Sequence, residues 1–220
     1  MFTNPFSSWL NARSGRKSRR TVLVKQLHER DRRRVLKHFL ALDDSDRLLR
    51  FGTRLPDELV EAYVAKIDFS RDTVYGVYNP VFKLVAVGHL AFGPREASTH
   101  ALSSTTKDIV AEFGVSVSAS ARGLGIGSKL FERAAIRCRN LDVDTLYMHC
   151  LSSNQTMMHI AKKAGMEIQR DYGEADAYLR LLPPDPASML REAIDEQFAT
   201  IDYTLKANTR AAVKFFVPKK

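Results

Sequence analysis

The chain has 220 residues, 45% of them hydrophobic and 27% charged, with a formal net charge of +9. That is enough apolar material for one good core with an appended arm. Several classes are disfavoured at once. No apolar run approaches the roughly 18 residues of a membrane span, the two cysteines give no disulfide framework, and the six histidines are scattered without an HExxH.

No metal is therefore expected. Cys138 and Cys150 lie in apolar segments and read as free thiols of a reducing compartment. The N-terminus lacks an apolar stretch followed by a small-residue cleavage site, so a soluble, unprocessed, cytoplasmic protein is expected.

The excess charge is local. Residues 1–40 carry eleven Lys/Arg and two acids, and the rest of the chain is balanced. Residues 1–20, with Phe2, Phe6, Trp9 and Leu10 ahead of "RSGRKSRR", form a basic arm. It reads as a flexible solubilising tail, or else as a patch for anionic membrane or nucleic acid. The neutral body disfavours nucleic acid as the main partner.

In chain order, "TVLVKQL" (21–27) alternates as a strand, and "ERDRRRVLKHFLAL" follows with Val35, Phe39 and Leu42 at helical spacing. "LDDSDRLLRFGTRL" interrupts it. Pro56 can open a second helix with Leu59, Val60, Tyr63 and Ile67 on one side. "DTVYGVYN" and "FKLVAVGHLAF" read as two strands joined by a turn at Asn79 and Pro80. Residues 93–108 read as an exposed loop, and "IVAEFGVSV" (109–117) as a buried strand.

That strand runs into "SARGLGIGSKLFERAA" (120–135), glycines and an arginine ahead of a helix. The glycines can make a simple tight turn. They can also hold an anion, because the first free N–H groups of the helix cluster at Gly125 to Ser128 beside Arg122, at the positive end of the helix dipole. The dinucleotide pattern GxGxxG fails because position 128 is Ser, and a P-loop fails because Gly127 is followed by Ser128 and Lys129.

What fits is Arg122-x-x-Gly125-x-Gly127, which resembles the Q/R-x-x-G-x-G/A element of the GNAT superfamily of N-acetyltransferases. Downstream, "TLYMHCL" and "SSNQTMMHIAKKAGM" are similar to the GNAT segment in which Asn opens a helix and an "AG[F/M]" pair closes it, matched by Asn154 and Gly165-Met166. The likeness covers roughly residues 21 to 182. "AEFGVSVSASARGLGIG", "NQTMMHIAKKAGM" and "DSDRLLRFG" look most like the bacterial protein lysine acetyltransferase type.

The resemblance implies an α/β fold, a mixed central sheet of about seven strands with helices on both faces. It implies an N-acetyltransferase moving acetyl from acetyl-CoA to a primary amine by direct attack on the thioester. The turn Arg122, Gly123, Leu124, Gly125, Ile126, Gly127 and Ser128 would grip the pyrophosphate. Val115 and Val117 would offer backbone groups to the pantetheine from a strand edge that splays from its neighbour. Asn154 either caps its helix or touches the pantetheine or thioester. Glu112, matching the Glu of "AEF", is the candidate base, expected to be buried and raised in pKa, or else a solvated strand residue. Arg47, Arg50 and Phe51 are the candidate acceptor-binding residues.

One position departs from the family: Ala161 stands where many members carry a Tyr used as acid toward the thiolate. A thiol of pKa ~8.5 leaves unprotonated more easily than an amine of pKa ~10.4 attacks while protonated, so help for the nucleophile matters more. Cys150, Tyr147 and Ser153 are loose candidates for the acid, with a structural role for each as the alternative; His149 reads as a packed strand residue. The rival reading is an acyl-CoA-binding regulatory module without turnover.

Pro183, Pro184 and Pro186 mark a break. The remaining 183–220 should be a C-terminal extension with an amphipathic helix whose stripe, Leu190, Ile194, Phe198, Ile201 and Leu205, packs back on the domain or is shared across a homodimer. The sequence leaves open whether "AVKFFVPKK" adds a strand. It also leaves the acceptor open, a small amine or a protein lysine.

Overall fold

The computed structural model describes residues 22–93 and 109–216, with side chains as far as Val213. The basic arm of residues 1–20, nearly all of the 93–108 loop and the last residues lie outside the described residues. The elements are β1 (Lys25–Leu27), a 3-10 turn, α1 (Arg32–Leu40), α2 (Asp44–Phe51), α3 (Asp57–Lys66), β2 (Thr73–Tyr78) and β3 (Leu84–Phe92). They continue with β4 (Val110–Val117), a second 3-10 turn, α4 (Ile126–Asn140), β5 (Thr145–Leu151), α5 (Gln155–Ala164), β6 (Glu167–Asp171), β7 (Glu174–Arg180) and α6 (Pro186–Phe216).

The strands form one seven-stranded mixed sheet in the order β1-β2-β3-β4-β5-β7-β6. Every pairing is antiparallel except β4 with β5, which needs a crossover connection, supplied by α4. That parallel pair is short, with only Val110, Ala111 and Glu112 paired, to Thr145, Leu146 and Tyr147. Beyond Glu112, β4 continues to Val117 with β3 as its one partner among the described residues, while β5 continues against β7 to Leu151. The sheet thus opens as a V between β4 and β5.

Each face of the sheet carries its own core. On one, Ala111 and Phe113 of β4 pack under Leu130, Phe131 and Ala134 of α4, with Met157, Met158 and Ala161 of α5 in the same cluster. On the other, Val35 and Phe39 of α1 and Val60 and Val64 of α3 cover Val74 and Val87. Each buried Val, Leu, Phe or Met among them contributes about 1.5–3 kcal/mol.

Two features differ from the sequence expectation. The stretch read as an interruption contains α2, capped by Asp43 accepting from the Asp46 N–H at 2.8 Å and stopped by Gly52 in the left-handed region at φ 75°. The second difference concerns α6, which lies on the body through its polar face. Arg133, 2% exposed on α4, reaches Glu196 at 3.2 Å and Asp195 at 3.5 Å, Asn140 donates to Glu192 at 2.6 Å, and Lys25 pairs with Glu196. Tyr203 packs edge-on against Tyr78 and Phe82. The stripe of Leu190, Ile194, Phe198, Ile201 and Leu205 faces outward, 45–63% exposed, so packing back through that stripe is corrected. Ion pairs to the buried Arg133 turn the helix that way, because an unpaired guanidinium there would be costly. Among the described residues no helix is long and apolar enough to cross a membrane.

Candidate active site

A cavity of about 690 Å³ begins in the V and runs over the N-terminus of α4. Its wall includes Val115, Ser116 and Val117 of β4, the whole turn from Arg122 to Ser128, Asn154 and the first part of α5. The sequence-predicted residues Val115, Val117, Arg122 to Ser128 and Asn154 are therefore brought together on one surface.

The turn is shaped by its glycines. Gly123 and Gly125 have φ of 73° and 75°, a region that side chains with a Cβ avoid, and a Cβ on either would meet no atom within 4 Å. Gly125 is the N-cap of α4, so the N–H groups of Ile126, Gly127 and Ser128 point out of the first turn without intrahelical partners. At Gly127 a Cβ would come 3.2 Å from Ile160, so this glycine lets α4 and α5 approach. Free donors, a helix dipole and open space at two glycines suit a diphosphate. Arg122 stands at the lip, half-exposed, paired with Asp46 of α2, and its Nε donates to the Val117 carbonyl at 3.4 Å.

Glu112 occupies the last paired rung, opposite Tyr147, at the apex of the V. It is exposed, which corrects the expected burial: the helices α1 and α3 cover β2 and β3 on this face and stop short of it. The carboxylate acts electrostatically on both His89 and Tyr147. It does not line the cavity described above, whose β4 wall starts at Val115.

Beside it lies a polar chain that sequence reasoning missed. Arg50 Nη2 donates to the Tyr63 hydroxyl at 2.7 Å, Tyr63 meets His89 Nδ1 at 2.8 Å, and His89 Nε2 meets Asp72 at 3.0 Å. Arginine can only donate, so Tyr63 donates to Nδ1 and the neutral imidazole donates from Nε2 to Asp72. Burial lowers the His89 pKa against the pull of Asp72, consistent with that neutral form. Arg50 also lies over the rings of Phe51, Tyr63 and Phe39 at 5.1, 5.5 and 5.7 Å, and its Nε is buried without a hydrogen-bond partner. It rests flat on β4 because residue 114 is glycine, where a Cβ would fall 2.6 Å from Nη2. No local motif signals this chain, since its members come from α2, α3, β3 and the turn before β2.

Arg47 was paired with Arg50 in the sequence reading and the structure separates them. The Arg47 guanidinium donates to the carbonyls of Leu42, Leu55 and Leu40 at 3.2, 2.8 and 3.1 Å and pairs with Asp57 at 2.7 Å. It staples α1, α2 and α3, and it is buried. Phe51 stays beside Arg50, half-buried edge-on to Tyr63. Asn154, 7% exposed, caps α5 by accepting from the Met157 N–H at 3.2 Å and donates to the Leu49 carbonyl at 3.3 Å, tying α2 to the β5–α5 junction.

The loose acid candidates are placed as follows. Tyr147 donates to Asp176 at 2.6 Å, and burial together with that carboxylate pushes its phenol well above the ordinary range. Burial raises the Cys150 thiol, which faces the core. Ser153 is exposed, and His149 meets Asp176 at 2.8 Å. Ala161 is 1% exposed within the core. Among the described residues no cluster of His, Cys, Asp and Glu could hold a metal ion.

Comparison with known proteins agrees with this geometry. The model of the acetyltransferase (GNAT) family matches residues 44–166, more than half of the chain, from α2 through the end of α5. Among solved structures, the GNAT domain of S. lividans PAT superposes with a TM-score of 0.57 at 20% identity, over 72% of this chain and 89% of that one. A phosphinothricin acetyltransferase from Sinorhizobium meliloti in complex with AcCoA gives 0.56 at 13%, over 76% and 95%. The ribosomal-protein-alanine N-acetyltransferase of Brucella melitensis gives 0.54 at 17%, over 73% and 100%. No curated protein matches the chain by sequence. With its fold, its glycine turn and the family match in agreement, the chain belongs to the acetyltransferase (GNAT) family and is an acetyl-CoA-dependent acetyltransferase.

Proposed function

We propose that this enzyme is a cytoplasmic N-acetyltransferase of the protein lysine acetyltransferase type, acting on a primary amine that attacks the thioester directly. The observation that carries the reading is a cavity that joins an open strand edge to a glycine cradle. Residues 21–182 form the working unit in this proposal, with 1–20 and 183–220 as appendages.

The N–H groups of Ile126, Gly127 and Ser128 hold the pyrophosphate, and Gly123, Leu124 and Gly125 shape the turn that leaves room for it. Arg122, steered by Asp46, adds charge at the lip. The main-chain groups of Val115 and Val117 hold the pantetheine, and Asn154 positions the turn entering α5 against α2. Acetyl-CoA supplies an acetyl group already activated as a thioester.

The protein's chemical task is then to deliver an uncharged amine. Glu112 takes the amine proton at the apex of the V, directly or through water. Its exposure suits contact with an incoming acceptor and access of water. Such a base contributes about 10² to 10⁴ in rate. Arg50 and Phe51, held by Tyr63, His89 and Asp72, line the acceptor side. Arg50 also borders the cavity, so its guanidinium brings positive charge to that side.

Calorimetry with acetyl-CoA followed by thiol release against lysine peptides, polyamines and small amines tests the reading. Binding with release only from lysine peptides supports the proposed type, and release from a small amine alone overturns that part. A second reading, an acyl-CoA-binding module without turnover, is favoured by one feature: Ala161, sealed in the core, supplies no acid to the leaving thiolate. Binding without release from any acceptor would favour it.

A further inference from the structure

The helix α6 is docked by the face that surface helices ordinarily show to water. From Ala187 to Thr209 its six charged residues, Arg191, Glu192, Asp195, Glu196, Asp202 and Lys206, are all half-buried against the body. The exposed positions of that span hold no charge at all. They carry Leu190, Ile194, Phe198, Ile201 and Leu205, flanked by alanine, threonine, asparagine, glutamine and one methionine. A contiguous apolar stripe of this kind on an otherwise polar protein marks an interaction surface.

The order of the stripe identifies its occupant. It reads Leu, Ile, Phe, Ile, Leu, with its midpoint between Gln197 and Phe198. A second α6 laid alongside in the opposite direction brings Leu190 level with Leu205 and Ile194 level with Ile201. The two Phe198 rings then meet near the two-fold axis. A surface that complements itself on reversal is what an isologous two-fold contact requires. The three- and four-residue steps are those of a helix-pairing seam, which runs about 23 Å.

A membrane fits less well. Interfacial helices turn a Lys/Arg-rich face toward head groups, whereas here the charged face is consumed by ion pairs to Arg133 and Lys25 and a hydrogen bond from Asn140 of the body.

We infer that the enzyme is a homodimer built by antiparallel pairing of α6 about an axis next to Phe198. The inference is independent of the chemistry assigned to the cavity. It has one bearing on it, since Arg191 of α6 lines the cavity and the dimer contact fixes the helix that carries it.

The test is sedimentation equilibrium of the full chain at micromolar concentration. A dimer is expected. The double variant Ile194→Glu with Ile201→Glu, which puts four carboxylates into the seam, should raise its dissociation constant on the order of 100-fold while leaving the circular dichroism spectrum unchanged. Register is read separately. Mixing Leu190→Cys and Leu205→Cys proteins under mild oxidation should yield a disulfide-linked pair, and Leu190→Cys alone should yield none; the native Cys138 and Cys150 are buried. If the double variant misfolds, the crosslink decides. A monomeric wild type, a dimer indifferent to the double variant, a crosslink between two Leu190→Cys copies, or α6-dependent binding to phosphatidylcholine–phosphatidylglycerol vesicles by a monomer would each overturn the inference.

Discussion

Arg50 and Gly114 touch face to face: the guanidinium lies on the strand backbone so closely that a Cβ at 114 would sit 2.6 Å from Nη2. Gly114→Ala should move Arg50 off β4 at little cost in stability, about 1 kcal/mol or less, because the obstructing atoms end a flexible side chain. Acetyl-CoA affinity should be retained while KM for the amine rises several-fold. Unchanged acceptor kinetics would remove Arg50 from the acceptor side.

Gly125→Asp tests the cradle. At φ 75° a side chain adds roughly 1 kcal/mol of backbone strain, and the new carboxylate projects into the space assigned to the diphosphate. Affinity for acetyl-CoA should fall at least on the order of 100-fold in calorimetry, with the fold intact. Ordinary affinity in a folded variant would refute the pyrophosphate assignment.

Glu112→Gln should leave cofactor affinity nearly unchanged and lower kcat by about 10² to 10⁴ at neutral pH. The deficit should shrink toward pH 10, where the amine loses its proton unaided. Parallel pH profiles for the two proteins would exclude Glu112 as the base.

Arg47→Met should act on stability. Its loss leaves the carbonyls of Leu40, Leu42 and Leu55 without their donor, costing about 3 kcal/mol in denaturant melts, while KM for the acceptor in the surviving folded enzyme stays the same.

His38 sets an acid limit. It is buried with Nε2 2.7 Å from the Ser116 hydroxyl, and burial lowers its pKa from 6.5 to about 4. Between those values the unfolded chain binds the proton and the folded one does not, so stability is complete above pH 6.5 and is lost as pH falls toward 4. The slope should approach 1.4 kcal/mol per pH unit for this residue, roughly 3 kcal/mol in all. His89, lowered in the same direction, adds to it. Thermal melts from pH 7 to 4 should show the fall, and His38→Gln should flatten it.

What the sequence made legible was what local pattern encodes. The order of strands and helices apart from α2, the turn from Arg122 to Ser128 and the cap at Asn154 follow from short-range chemistry: glycine at positive φ, an N-capping side chain, alternation in strands. What it hid is set by long-range placement. Glu112 sits in an apolar strand and looked buried, but the covering helices end before reaching it. Arg47 and Arg50 stand three residues apart on the short helix α2, yet one turns into the junction of three helices and the other onto β4. The stripe of α6 looked like a core-facing surface, and ion pairs to the buried Arg133 turned it outward. The Tyr63, His89 and Asp72 chain has no linear signature, because three separate elements compose it.

The three rungs that join β4 to β5 also bear on how the sheet holds its hydrogen. Among the described residues, no strand pairs with the side of β4 facing β5 from Phe113 to Val117. The sheet is in effect two ladders hinged near Glu112, with a vacant strand position between them. An extended, amide-bearing cosubstrate entering there would complete the ladder as a donated strand does. Amide exchange on this stretch of β4 should therefore be fast for the middle of a sheet and slow sharply once acetyl-CoA is bound.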